Sequence, residues 1–206
     1  MAGQIVEGIL MGFLSVLSFA HKLVAERLRQ GDIALDATAG TGADTLYLAK
    51  CIGSRGKVYA FDIQEQALQL TRERLAKEPP DSLPAISLHQ QSHALMKSCV
   101  SDRDHGQVGA VMFNLGYLPA DSSDKRIMTE TASTLTALEA AIELLRPGGI
   151  ITVVLYPGHK GGDAEAAAVQ AWAERLPQHA VQTILYRGLQ RADAPYLIAL
   201  ERKKPL

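Results

Sequence analysis

The side chains best suited to chemistry stand in short polar clusters at the ends of apolar runs. The first cluster is Asp36-Ala37-Thr38-Ala39-Gly40-Thr41-Gly42-Ala43-Asp44-Thr45. Glycines at 40 and 42 let the backbone turn sharply and come close to a bound molecule, so Gly42 is expected against the ligand. Asp36 and Asp44 bring two carboxylates to the same turn, which favours a ligand carrying positive charge. A dinucleotide loop of the Gly-x-Gly-x-x-Gly type needs a third glycine where this chain has Thr45. A diphosphate would also meet Asp44 at its expected resting place. The alternative for Asp44 is a plain helix N-cap.

A second cluster follows the next apolar run. Asp62 stands where an acid bridges the two hydroxyls of a ribose, with Ile63 and Gln64 placed to lie along an adenine. Gln91-Ser92-His93 follows the third run at the expected edge of that base, although His93 reads equally as a surface histidine opening a helix. Together these residues point to an adenosine with a cationic tail, and S-adenosylmethionine, with its ammonium and sulfonium, has that description. Asp36, Thr38, Gly40, Gly42, Asp44, Thr45, Asp62, Gln64, Ser92, His93 and Asn114 are the expected cofactor-binding residues.

The remaining clusters face a second substrate. Asn114-Leu115-Gly116-Tyr117-Leu118-Pro119 resembles the Asn-Pro-Pro-Tyr element of methyltransferases that act on amino nitrogens. In that element the Asn side chain and a following carbonyl hold the N–H groups of the amine and aim its lone pair, while the aromatic ring stacks on the target base. The bland alternative is a polar strand end with a glycine turn. Tyr156-Pro157-Gly158-His159-Lys160-Gly161-Gly162 makes a fixed loop after another apolar run, and its His159 faces substrate or caps the next helix. No cysteine or histidine spacing matches a metal site.

These clusters need a scaffold, and the periodicity supplies one. Helical spacing runs over residues 18–30, ended by Gly31, then over 44–51, 64–77, 129–145 and 163–176. Strand-like runs cover 33–37, 57–61, 85–88, 108–113, 150–156, 181–186 and 196–201, and Arg146-Pro147-Gly148-Gly149 marks a turn. Strands alternating with helices imply a parallel sheet with right-handed crossovers. The last two runs have no helix between them and are expected to be antiparallel. The result is an α/β fold with a seven-stranded, mostly parallel sheet, helices on both faces and an antiparallel C-terminal hairpin.

With 206 residues, 47% apolar and 21% charged, the chain reads as one globular domain, 1–206, in which residues 1–30 form an N-terminal helical segment. That segment lacks the basic start and cleavage site of a signal peptide and is too short and interrupted to span a membrane. It is expected to pack on the domain or on a second copy, as a homodimer. A net charge of −1 excludes bulk basicity as a signal for nucleic acid. A local basic patch would suffice for one RNA loop, and Arg187 with Arg191, or the tail Arg202-Lys203-Lys204, are candidates beside the reading as solvated surface. Cys51 and Cys99 read as reduced, buried thiols of a cytoplasmic protein.

Taken in order, these motifs make the chain similar to the bacterial family first labelled putative rRNA methylase, whose members act as tRNA methyltransferases on the wobble uridine. The resemblance runs from about Phe19 to the C-terminus. It is carried by Phe19-Ala20-His21, the 36–45 loop, Tyr59-Ala60-Phe61-Asp62-Ile63-Gln64, Ser92-His93, Phe113-Asn114-Leu115-Gly116-Tyr117-Leu118-Pro119, and Tyr156-Pro157-Gly158-His159 with Gly161-Gly162. It implies a Rossmann-like class I methyltransferase, with S-adenosylmethionine as donor. The implied substrate is the 5-aminomethyl-2-thiouridine of a tRNA anticodon loop, N-methylated at its aminomethyl group. Asn114, Tyr117 and His159 are then the catalytic residues, and His21, Tyr117, Tyr156 and His159 the substrate-binding ones. The chain departs from the family at Thr41, usually Asn, and at Ala43, usually His. After Pro119 a longer, more acidic stretch, Ala120-Asp121-Ser122-Ser123-Asp124-Lys125, replaces a Gly-Gly-Asp-Lys turn.

The target amine is mostly protonated at neutral pH, with a pKa near lysine's value of about 10.4. Its proton must leave, to water or to His21, His93 or His159. Rival readings are methylation of another RNA such as rRNA, methylation of a small-molecule amine, a fold that only binds, and a nicotinamide reductase. The last is disfavoured by Thr45 and Asp44. In a competition titration NADH is therefore expected not to displace S-adenosylhomocysteine at low micromolar concentration; displacement there would overturn the charge argument.

Overall fold

The computed structural model describes residues 12–79, 81–116, 131–158 and 161–203. Seven strands, β1 (Ile33–Asp36), β2 (Lys57–Asp62), β3 (Ala85–Gln90), β4 (Val108–Leu115), β5 (Leu145–Leu155), β6 (Val181–Tyr186) and β7 (Tyr196–Arg202), form one sheet in the order β3-β2-β1-β4-β5-β7-β6. The first five run parallel, while β7 is antiparallel to both neighbours, Ile151 facing Leu200 on one side and Ile184 facing Ala199 on the other. The helices are α1 (Val16–Ala25), α2 (Ala43–Ile52), α3 (Glu65–Leu75), α4 (Met96–Cys99), α5 (Thr131–Leu144) and α6 (Gly162–Glu174).

Side-chain alternation along the strands divides the core into two layers. Ala34, Val58, Ala110 and Met112 face Val24 of α1 and Leu48 and Ile52 of α2, and Ala60 meets Leu68 of α3 on the same face. Leu35, Phe61, Val111, Phe113 and Ile151 face Met96 of α4, Leu138 of α5 and Val169 and Trp172 of α6. The β-branched run in β5 is buried on both faces, as its composition requires. Thr134 of α5 donates to Glu165 of α6 at 2.7 Å, joining the two helices through a buried hydroxyl–carboxylate bond. Among the described residues no helix is long and apolar enough to cross a membrane.

Several elements differ from the sequence expectation for identifiable reasons. α1 begins earlier because Ser15 caps it, accepting from Ser18 N–H at 3.1 Å. It also ends earlier: Arg29 N–H is taken by Asp32 Oδ2 and Gly31 N–H by the Ile52 carbonyl, so residues 26–31 turn instead of continuing the helix. The expected turn at residues 146–149 lies inside β5 as an excursion, since Val108 pairs with Leu145 but Ala110 pairs with Ile150. Within it Arg146 Nη2 donates to the Arg27 carbonyl at 2.8 Å and to Asp32 at 3.1 Å, tying α1 to the sheet. Cys51 and Cys99 are both free but half-buried, not fully buried. The start of the helix expected from residue 129 lies outside the described residues.

Gly42 opens α2 with φ of +75° in the left-handed region. Beside the expected ligand contact, a packing reason for glycine stands here: a Cβ would come within 2.8 Å of the Thr71 Cα in α3. The glycine is required by the approach of two helices. Gly42→Val should therefore destabilise the ligand-free protein by roughly 2–5 kcal/mol, combining about 1–2 for a left-handed non-glycine residue with about 1–3 for overpacking. Urea denaturation checks this, and an unchanged midpoint would contradict it.

Candidate active site

The chain runs β1–β2–β3 toward one edge of the sheet, then returns to place β4 on the other side of β1. That reversal opens a crevice at the carboxyl ends of β1 and β4, where ligands bind in sheets of this kind. Asp36 ends β1, Asp62 ends β2, Asn114 is next to last in β4, and Tyr156 follows β5. Four of the sequence clusters thus meet at one sheet edge.

Asp36 is fully buried and holds the loop together. Its Oδ1 accepts the Thr38 N–H at 3.1 Å and its Oδ2 the Thr45 hydroxyl at 2.6 Å. Burial, reinforced by the charge of Asp44, pushes its pKa up to about 7. Both oxygens are thus occupied within the loop, which leaves its shape and its charge as the ways in which Asp36 could act on a ligand. Thr45, in the place of a third glycine, is equally buried. Thr38 passes the order on, since its hydroxyl accepts the Asn114 N–H at 2.8 Å.

Asp62 anchors the far side of the same loop. Its Oδ2 accepts the Gly40 N–H and its Oδ1 the Gln64 N–H, both at 2.9 Å. Burial raises its pKa while the N–H groups of Gln64, Gly40 and Ile63 oppose that rise. Next to it Ile63 is 53% exposed, an apolar surface left open beside a carboxylate, as a purine on its ribose requires.

Asp44 lies in the first turn of α2, whose N-cap is Gly42, so it is not the N-cap. Its Oδ1 is 2.7 Å from His21 Nε2, which brings a residue of α1 to the crevice. His21 also stacks on Tyr47 at 3.9 Å between ring centres. Sequence reading missed Tyr47; its only signal was a position three residues after Asp44, on the same helix face. Tyr156 is half-buried and its side chain is hydrogen-bonded to that of Asn114; burial raises its pKa, the nearby Asp44 charge adds to the rise, and the Asn114 bond opposes it.

Ser92 caps a single 3-10 turn, His93–Leu95, accepting the Ala94 N–H at 3.3 Å. His93 is not a surface residue. It is buried, with Nδ1 3.2 Å from the Ala37 carbonyl, and burial lowers its pKa. It supports the cofactor loop from behind. Tyr117 and His159 lie outside the described residues, as does the acidic stretch 120–125. Of the basic candidates, Arg191 pairs with Asp193 at 2.9 Å and Arg187 lies over the Tyr196 ring, both in the loop between β6 and β7. Among the described residues no group of three His, Cys, Asp or Glu side chains is placed to hold a metal.

The sequence profile of the family described as "Putative rRNA methylase" matches residues 58–201. The chain belongs to this family. It is 34% identical over 203 residues, 96% of its length and 73% of the relative's, to the chloroplastic tRNA (mnm(5)s(2)U34)-methyltransferase of Arabidopsis thaliana. Its fold is similar to that of a putative rRNA methylase from Clostridium thermocellum, with a TM-score of 0.85, 34% identity, and coverage of 93% of this chain and 100% of the other. It is also similar to a putative methyltransferase from Streptococcus mutans in complex with SAH, with a TM-score of 0.80, 33% identity, and coverage of 93% and 99%. The family member is thus a Rossmann-like methyltransferase that uses S-adenosylmethionine.

The crevice fits that cofactor. It offers a carboxylate with an open apolar neighbour at β2 for the adenosine, and two acids, Asp36 and Asp44, whose mutual repulsion a cationic ligand relieves. A bound cation favours the ionised form of Asp36. Cofactor affinity should therefore rise with pH up to about 7 and level off above it, and binding below that pH should release protons. Calorimetry in buffers of different ionisation enthalpy reads the release, which Asp36→Asn should abolish; equal release in that variant would assign it elsewhere. In the ligand-free protein the sign is opposite for stability. The folded pKa exceeds the ordinary value of 3.8, so the stabilisation by Asp36 is complete below 3.8 and is lost as pH rises through about 7.

Proposed function

We propose that this methyltransferase N-methylates the aminomethyl group of 5-aminomethyl-2-thiouridine at the wobble position of tRNA. The observation that carries the reading is the setting of Asn114. Its backbone N–H is fixed by Thr38 of the cofactor loop, and its side chain is bonded to Tyr156 on the neighbouring strand end. A side-chain amide held between the donor loop and a phenol can accept from and orient an amine N–H. The Arabidopsis relative, similar over nearly the whole chain, carries the name of a tRNA U34 methyltransferase, which supports the choice of RNA.

In this reading Asp62, Gln64 and Ile63 hold the adenosine, the 36–45 loop holds the cationic tail, and Ser92 and His93 shape the base pocket. When bound, S-adenosylmethionine supplies an electrophilic methyl group. Asn114 aligns the lone pair of the acceptor, and Tyr156 lines the substrate side. Tyr117 stacks on the target base and His159 faces the substrate, roles that rest on the family motif.

Asn114→Ala tests the amine-holding role with little disturbance, because the bond to Thr38 uses the main chain. Affinity for S-adenosylhomocysteine should be nearly unchanged. Single-turnover methylation of tRNA bearing the free aminomethyl group should fall about a hundredfold, the scale for losing a positioning hydrogen bond. Bulk rRNA serves as the alternative substrate. A variant that methylates at the wild-type rate would remove Asn114 from the mechanism, and methyl transfer to rRNA alone would redirect the substrate assignment.

A further inference from the structure

A cationic amine approaching this crevice must lose a proton before its nitrogen can act as a nucleophile. Three histidines stand near the candidate site in the sequence, and the structure separates two of them. His93 is enclosed behind the loop, with Nδ1 at the Ala37 carbonyl and Nε2 3.5 Å from the Ser133 hydroxyl, so both ring nitrogens face protein groups. His21 is different. Its Nε2 is bonded to Asp44 at 2.7 Å, its side chain is 30% exposed, and no partner for Nδ1 is present among the described residues.

The ring of His21 is also fixed in direction. Tyr47 lies parallel to it at 10°, 3.9 Å between centres, and the Tyr47 hydroxyl donates to the His21 carbonyl at 2.7 Å. One tyrosine thus grips both the ring and the main chain of the same histidine. With an ionised carboxylate as acceptor, Nε2 carries the hydrogen and Nδ1 presents its lone pair. An acid at one nitrogen and an open lone pair at the other is the arrangement by which a carboxylate orients a histidine base. Among the other titratable groups at this end, Asp36 faces Asp44 from β1 and Tyr156 faces it from the end of β5. In the turn after α1, Arg27 is paired with Glu201 of β7, and before α1 the Leu14 carbonyl accepts from the Tyr186 hydroxyl of β6.

We infer that His21, oriented by Asp44 and gripped by Tyr47, is the group that takes the proton from the acceptor ammonium. The inference rests on the amine-acceptor reading above. In this step an N–H bond of the ammonium breaks, its electron pair stays on nitrogen as the nucleophilic lone pair, and the proton forms a new bond to His21 Nδ1. The imidazolium has Asp44 as its counter-ion and returns the proton to water after turnover. His21 is then a catalytic residue, and Tyr47 is a positioning residue that acts through it.

Single-turnover methylation of aminomethyl-bearing tRNA tests this with four variants of the full chain. His21→Ala and His21→Gln should both be slower by on the order of a hundredfold, while the S-adenosylhomocysteine affinity of His21→Gln, which keeps a donor to Asp44, stays within about twofold of wild type. Gln can still donate to Asp44 but cannot take a proton, so equal losses in the two variants separate basicity from packing. Added imidazole should restore the His21→Ala rate in proportion to its unprotonated concentration. Tyr47→Leu should lose roughly tenfold and Tyr47→Phe, which keeps the ring but not the hydroxyl, clearly less. A His21→Gln enzyme at the wild-type rate would overturn the inference, as would a loss that follows cofactor affinity and that imidazole leaves unchanged. Full rate in Tyr47→Leu would remove the positioning role. A wild-type enzyme that fails to methylate the amine would instead remove the substrate reading, and the inference with it.

Discussion

A carboxyl group with no access to water is costly unless its oxygens find donors or it keeps its proton. Asp36 finds a donor for each oxygen, its pKa is pushed up to about 7, and the geometry of the site follows from those two bonds. Its two oxygens collect the Thr38 N–H and the Thr45 hydroxyl, which fixes the end of β1 to the first turn of α2. Thr38, so held, receives the Asn114 N–H and sets the end of β4 beside β1. From one buried acid the order passes across two strands and a helix. Asp62 closes the other side through the Gly40 N–H. The 36–45 loop and Asn114 are thereby parts of one hydrogen-bonded frame.

That frame explains how groups that repel one another can be held at one sheet edge. Asp36 and Asp44 are both buried, the charge of Asp44 adds to the raised pKa of Asp36, and Asp44 is in turn in contact with His21. The first turn of α2 contributes N–H groups that Gly42 leaves without a side-chain cap. The arrangement differs from a diphosphate loop in its filled third position, where Thr45 spends its hydroxyl on Asp36 instead of leaving space for close backbone packing.

Much of this was legible in the chain. β6 falls on the residues that its apolar pattern marks, and the acids at the ends of β1 and β2 and the Asn of β4 stand at the sheet edge where the alternation of elements places them. What stayed hidden depends on contacts between distant segments. The pairing of His21 with Asp44 spans 23 residues, and nothing local in either segment announces it. The packing demand on Gly42 comes from Thr71 of α3, which is distant in the chain and gives no local signal. α4 is four residues long and too short to show a period. His93 looks like a helix-opening surface residue because the carbonyl that buries it, that of Ala37, belongs to another strand end.

The strand order also sets the sequence in which the protein can become whole. β7 lies between β5 and β6, although it is made after both. Until it emerges from the ribosome, β5 has an open edge carrying Ile150 to Leu155, and β6 has no neighbour in the sheet. Its last residue, Arg202, then reaches the carbonyls of Ile142, Glu143 and Leu145 at the exit of α5, so the helix end is also unfinished until that moment. A nascent chain must carry this exposed apolar edge from the completion of β5 at Leu155 until β7, beginning at Tyr196, is made, a period in which unpaired strands invite misassociation. Insertion of one late strand therefore works as a zip fastener, joining β6 to the rest of the sheet and covering the open edge of β5.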